Sequence, residues 1–189
     1  MSEISFLCGL GNPGARYENT RHNLGFDVVD LIASRSGLKW KRCGENSLRA
    51  SWKSSGRTVI LIKPQTYMNC SGDALSDIKG LSPSSLLVIC DDISLPLGRL
   101  RIRAAGGSGG HNGLLSITQY LGTSEFARLR MGCGPTPEGD EWSDYVLSPF
   151  SPDDRPSADA MTRAAIKAVE MILSRGIAAT QMEFNRPEK

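Results

Sequence analysis

Histidine is nearly absent from this chain: 189 residues contain only two, His22 and His111. Five cysteines occur, at positions 8, 43, 70, 90 and 133, an odd number with no Cys-x-x-Cys pair. That pattern offers neither a disulfide framework nor zinc-ligand spacing, so the thiols read as free and predict a reducing, cytoplasmic setting. No apolar run approaches the roughly 20 residues needed to span a bilayer. The N-terminal apolar run, residues 4–10, follows Glu3 and is too short and wrongly flanked for a signal peptide. Charge of one sign is not in excess either. Lys and Arg number 22 against 20 Asp and Glu, a net +2 that permits a polyanion partner without demanding one. No internal repeat, low-complexity tract or linker interrupts the chain. These absences leave one soluble domain over residues 1–189, long enough to bury a substantial core.

The two histidines are placed alike. Each precedes an asparagine beside glycine, in Thr20-Arg21-His22-Asn23-Leu24-Gly25 and in Gly109-Gly110-His111-Asn112-Gly113. Histidine gives or takes a proton near neutral pH, and glycine lets a backbone approach a ligand closely. A loop histidine taken singly is usually a solvated one. Two scarce ones in matching turns point instead to site chemistry.

Strand and helix signals alternate along the chain. Residues 4–10 form a short apolar run closed by Gly11-Asn12-Pro13-Gly14, a buried strand ending in a tight turn. Leu24, Val28, Leu31 and Ile32 recur at helical spacing up to Gly37. Residues 48–52 and 58–62 flank Ser54-Ser55-Gly56 and read as a hairpin ended by Pro64. Residues 86–90 are continuously apolar, as in a strand buried on both faces. Residues 99–103 alternate, so Arg99, Arg101 and Arg103 share one exposed face, and residues 126–131 alternate too. Ser151 reads as an N-cap with Pro152, Asp153 and Asp154 in a first helical turn, and Ala158, Met161, Ala165, Ala168, Val169 and Ile172 mark one face of a long helix. Hairpin and crossovers together predict a single α/β domain, with a twisted mixed sheet flanked by helices on both faces.

The run Gly106-Gly107-Ser108-Gly109-Gly110-His111-Asn112-Gly113 follows a strand and opens a helix, where backbone N–H groups can hold an anion. It is neither a Walker loop nor a dinucleotide fingerprint. Asn69, in Met68-Asn69-Cys70-Ser71-Gly72, falls just past a strand. Asp91 and Asp92 follow a buried strand, at the end where open α/β sheets bind ligands. Each of these polar groups alone suits a cap or a turn; together with His22 they suit a site.

These segments resemble the bacterial-type peptidyl-tRNA hydrolase family over nearly the whole chain. The resemblance is carried by the glycine-rich run from Gly9 to Gly14, Tyr17, the Thr20 to Asn23 and Gly25 motif, Lys63-Pro64 through Gly72, Asp91-Asp92 with Leu95-Pro96, the Gly109 to Gly113 motif, and Arg128-Leu129-Arg130. It implies a monomeric α/β enzyme, free of cofactor and metal and with no obligate protein partner. Such an enzyme cleaves the ester joining a peptide to the 3′ ribose of tRNA. By the same resemblance His22 is the catalytic base and Asp91 orients it, while Asn12, Asn69 and Asn112 position substrate and water. Tyr17, Met68 and His111 line the pocket, and Arg101, Arg103 and Arg130 meet tRNA phosphates. Cys90 and Ser108 stand where histidines are common in the family, and Pro135 directly follows Gly134 where a longer or basic segment is usual. Residues 135–145 are rich in Pro, Gly and acids and read as a mobile flap. Two other classes compete: a non-catalytic RNA-binding relative, which keeping the His/Asp/Asn set together argues against, and a metal centre of His22, His111 and Asp91, which no His-x-His or His-Glu-x-x-His spacing supports.

Overall fold

The structure, a computed structural model, describes residues 3–135 and 141–186. One seven-stranded sheet runs through it in the order β2-β3-β4-β1-β5-β7-β6. Its strands are β1 (Phe6–Gly9), β2 (Lys41–Cys43), β3 (Ser47–Ser54), β4 (Arg57–Pro64), β5 (Leu86–Pro96), β6 (Leu100–Arg103) and β7 (Ala127–Gly134). The four central strands, β4, β1, β5 and β7, are mutually parallel, while β2, β3 and β6 join antiparallel at the two edges. The sheet is mixed, as the hairpin and crossover signals predicted. The hairpin turn carries Ser55 and Gly56 at positive φ, 51° and 76°, the pattern that matches the twist of the strands it joins.

Burial explains the layering. Helices α1 (Leu24–Arg35) and α4 (Arg155–Arg175) turn Val28, Val29, Ile32, Ala165, Val169 and Ile172 onto one sheet face, where they meet Leu7, Leu61, Leu87, Ile89 and Leu129. Helix α2 (Asn112–Leu121) covers the other face with Leu114 and Ile117, against Cys8, Leu10, Val88 and Cys90. Short helices α3 (Trp142–Val146) and α5 (Ile177–Phe184) complete the chain.

Several local expectations change. Helix α4 starts at Arg155, not at Ser151; Ser151 Oγ instead accepts the Asp154 N–H at 3.1 Å and donates to the Asp154 carboxylate at 2.8 Å, closing a turn ahead of the helix. Strand β5 does not stop at Cys90. It runs on to Pro96, with an irregularity in its pairing to β7 between Asp92 and Pro96 that re-aims the backbone just past the two carboxylates. Of the three arginines expected on one exposed face, Arg101 and Arg103 are exposed, whereas Arg99 precedes β6 and is half-buried. Within the expected flap, residues 136–140 lie outside the described residues, and Trp142–Val146 is helix α3.

Candidate active site

Three backbone turns meet above the C-terminal ends of β1 and β5. The first is a 3₁₀ turn, Arg21–Asn23, leading straight into α1. Its position is set by contact with the strands: Leu10 donates to Ile89 O at 2.9 Å, and Phe26 N donates to Leu10 O at 3.1 Å. A Cβ on Gly25 would lie 2.3 Å from Ile89 O and 2.4 Å from Leu10 N, so only glycine lets α1 approach the strands this closely. The Asn23 amide grips the backbone of Asn12 on both sides, accepting from its N–H at 2.8 Å and donating to its carbonyl at 3.0 Å. The strand-end turn and the His22 turn are thereby one unit. Arg21 ties the same turn to the chain beyond α3, donating to Ser148 Oγ and Pro149 O at 2.7 Å, with its guanidinium 4.1 Å from the Tyr145 ring centre.

The centre of the arrangement is Asp91, only 3% exposed. Its Oδ1 lies 2.9 Å from His22 Nδ1 and 3.0 Å from His111 Nε2. His111 is the N-cap of α2, and its Nδ1 accepts from the N–H groups of Gly113 at 3.1 Å and Leu114 at 3.4 Å. An acceptor at Nδ1 places the proton of that ring on Nε2, which therefore donates to Asp91. The carboxylate oxygen accepts from His22 Nδ1–H on its other side. His22 then carries an unprotonated Nε2, the state a general base requires. Burial alone would raise the Asp91 pKa; the electrostatic attraction of the two facing imidazoles and the hydrogen bonds they donate overcome it and hold the carboxyl well below the usual range. Asp91 is ionised throughout the neutral range.

His22, Asp91, Asp92, His111, Asn112 and Arg130 line a cleft of about 330 Å³ together with Trp142 and Val146 of α3. The ligating atoms of His22, Asp91 and His111 fall within 4.8 Å of one another, which is the spacing of a metal site. The bonding just described fits an ion poorly, because both facing nitrogens carry protons directed at the carboxylate and the remaining His111 nitrogen is engaged by backbone.

The other expected residues divide by place. Asn12, 6% exposed, lines an adjoining polar cleft with Asn23 and Lys63, and its Oδ1 accepts the Met68 N–H at 2.7 Å. Met68 is buried against Gly113, and Asn69, next to it in the 3₁₀ turn Met68–Cys70, is exposed. The Tyr17 ring meets the exposed Tyr67 ring edge-on at 6.4 Å. Arg130 is not a free surface cation: its Nε pairs with Asp92 Oδ2 at 3.0 Å. Arg101 and Arg103 stand outside the cleft on edge strand β6, opposite Arg130 and Arg128 in register. Cys90 points into the core, where burial pushes its thiol far up and leaves it inert. Ser108 contributes its carbonyl to the His111 N–H at 3.1 Å. Arg21 and Asn23 belong to the His22 motif that the sequence displays, but no sequence signal assigned either a role of its own.

A model of the peptidyl-tRNA hydrolase family matches residues 6–189. The peptidyl-tRNA hydrolase of Bacillus subtilis is 42% identical over 182 residues, covering 95% of this chain and 97% of the relative. That of Chloroflexus aurantiacus is 45% identical over 183 residues, with the same shares covered. Among solved structures, the peptidyl-tRNA hydrolase of Acinetobacter baumannii superposes with a TM-score of 0.90 at 31% identity, over 100% of this chain and 97% of that one. A peptidyl-tRNA hydrolase in complex with N-propanol gives 0.89 at 32% identity over the same shares. With relatives this similar along their whole length, the chain belongs to the peptidyl-tRNA hydrolase family.

Proposed function

We propose that the protein hydrolyses the ester between a peptide, or an N-blocked amino acid, and the 3′ ribose of tRNA, releasing tRNA for reuse in translation. The observation that carries this reading is the Asp91 oxygen shared by His22 Nδ1 and His111 Nε2 at the floor of an open cleft. His22 Nε2 takes a proton from water, the hydroxide adds to the ester carbonyl, and the imidazolium returns the proton to the departing ribose oxygen. Asp91 stabilises that imidazolium while it lasts. Asn112, at the cleft, and the exposed Asn69, on the 3₁₀ turn Met68–Cys70, donate to the developing oxyanion, an interaction worth about 2.7–4 kcal/mol per donor. Asn12 uses its Oδ1 on Met68, which leaves its Nδ2 to donate to the peptide. Tyr17 and Met68 shape the peptide side, and Arg101 and Arg103 bind tRNA phosphates. Among the described residues no helix is long and apolar enough to cross a membrane. The free thiols suit a cytoplasmic enzyme, and the complete site within one chain suits a monomer needing neither cofactor nor obligate partner.

The test is release of the amino acid from N-acetyl-aminoacyl-tRNA in the presence of EDTA, beside an unblocked aminoacyl-tRNA control. Cleavage of the blocked substrate with the free one largely spared is expected. Activity lost to the chelator and restored by a divalent ion would return the three-residue cluster to a metal reading. RNA binding without turnover would leave the non-catalytic relative.

A further inference from the structure

His111 and Asn112 both lie on the excursion that leaves β6, forms the glycine loop and α2, and returns as β7. One side chain closes that excursion at its base. Arg128, on β7, is 1% exposed. Its Nη1 donates to the carbonyls of Gly106 and of Gly107, the latter at 3.0 Å; its Nη2 donates to Ser124 O at 2.8 Å and Phe126 O at 3.1 Å. The guanidinium carbon sits 4.3 Å from the centre of the Phe126 ring. Gly106 and Gly107 open the loop, whereas Ser124 and Phe126 lie on its return. The backbone bond that joins these two ends, Gly106 N to Ser124 O, is long, at 3.3 Å.

Among the described residues Arg128 forms no ion pair. Burial pulls its pKa below the ordinary guanidinium value, so the position is costly for a cation. What an arginine supplies there is a planar fork of donors that reaches four carbonyls at once, which a lysine nitrogen cannot do. Arg128 does not line the cleft. The route from it to the chemistry is short: Gly107 leads to Ser108, whose carbonyl holds the His111 N–H, and His111 caps α2 while donating to Asp91.

We infer that Arg128 is a positioning residue, which ties both ends of the loop–α2 unit to β7 and so sets His111 at bonding distance from Asp91 and Asn112 at the cleft. The inference rests on the hydrolase reading for its rate assay alone. Arg128→Lys keeps charge and stem but loses the fork; Arg128→Ala opens space for a guanidinium ion. Both are assayed on N-acetyl-aminoacyl-tRNA, after circular dichroism shows native secondary structure. Arg128→Lys is expected to lower kcat by about tenfold or more and to leave KM within about threefold, since a misplacement near 1 Å can cost about 10²-fold in rate. Millimolar guanidinium chloride restores part of kcat in Arg128→Ala and none in His111→Ala. Nitrogen-15 NMR of the His111 ring in Arg128→Lys shows its hydrogen bond to Asp91 weakened. Wild-type kcat in folded Arg128→Lys, or an unaltered His111 signal, overturns the inference. Should Arg128→Ala fail to fold, the lysine variant decides alone. Should the wild type itself be inactive, the hydrolase reading falls, and the His111 signal still decides whether Arg128 places that ring.

Discussion

At Asp91 one oxygen accepts from two imidazoles, and their different surroundings give them different work. His111 is held by backbone N–H groups at Nδ1, which fixes its tautomer and makes it a donor only toward the carboxylate. His22 has no such constraint on Nε2 and faces the cleft. His22→Ala should therefore abolish nearly all turnover while tRNA binding, read by filter retention, survives. Asp91→Asn replaces an ionised acceptor with a group that can also donate, which puts the His22 tautomer at risk. We expect kcat to fall by about 10²–10⁴-fold. Because Asp91 is held below the usual carboxylate range, its negative charge is present across the whole assay window, where it can stabilise the imidazolium that forms as the base takes up its proton. Asp92 pairs with Arg130 and accepts from Ser94, and among the described residues it bonds neither histidine, so Asp92→Asn should cost much less. If the Asp92 variant proved the more damaged, or the Asp91 variant kept its kcat, the assignment of Asp91 as the partner of His22 would be wrong.

Among the elements, α1 shows how a helix N-terminus can be pressed onto a sheet hard enough to hold the His22 turn beside Asp91. Gly25 meets Ile89 O and Leu10 N where a methyl would overlap both, and backbone cannot yield as a flexible side chain would. Gly25→Ala should cost about 1–3 kcal/mol in denaturant unfolding and lower kcat as the His22 turn shifts. A variant of unchanged stability would show that α1 is not wedged there. The same element illustrates what the sequence discloses. Helical spacing from Leu24 to Ile32, the apolar runs of β1 and β5, and the Ser55–Gly56 hairpin all encode local preferences, and each matches an observed element. His22 stood out because the chain has only two histidines, and Asp91 because it follows a continuous apolar strand run; the fold brings the two side chains within 2.9 Å. What was not readable depends on distance through space. Arg128 and Arg130 are two residues apart with the same alternating pattern, yet one is buried under the glycine loop and the other pairs with Asp92. Ser151 has the residue type of a helix cap, but its hydroxyl bonds within a turn that precedes α4. His111 looked like a pocket wall, and only the fold of α2 over β5 reveals that it also shares Asp91.

For the whole molecule, a net charge of +2 is too small to draw in a polyanion by itself, so attraction for tRNA must be local. Strand pairing sets four arginines in two adjacent rows, Arg101 opposite Arg130 and Arg103 opposite Arg128. The inner member of each row is occupied, one by Asp92 and one by loop carbonyls. The outer two stand exposed on an edge strand that leads directly into the glycine loop. A phosphate path beside the cleft therefore has Arg101 and Arg103 available, and not the pair on β7. Phosphate contacts carry no base information, so losing each side chain should weaken every tRNA by a similar factor and lower the salt slope by about one. Arg101→Ala/Arg103→Ala should thus raise KM for peptidyl-tRNA and flatten its dependence on ionic strength. Cleavage of a small ester lacking the tRNA body should be unchanged, because such a substrate reaches the Asp91 centre without crossing β6. An equally steep salt dependence in the double variant would mean that the tRNA body docks on another face.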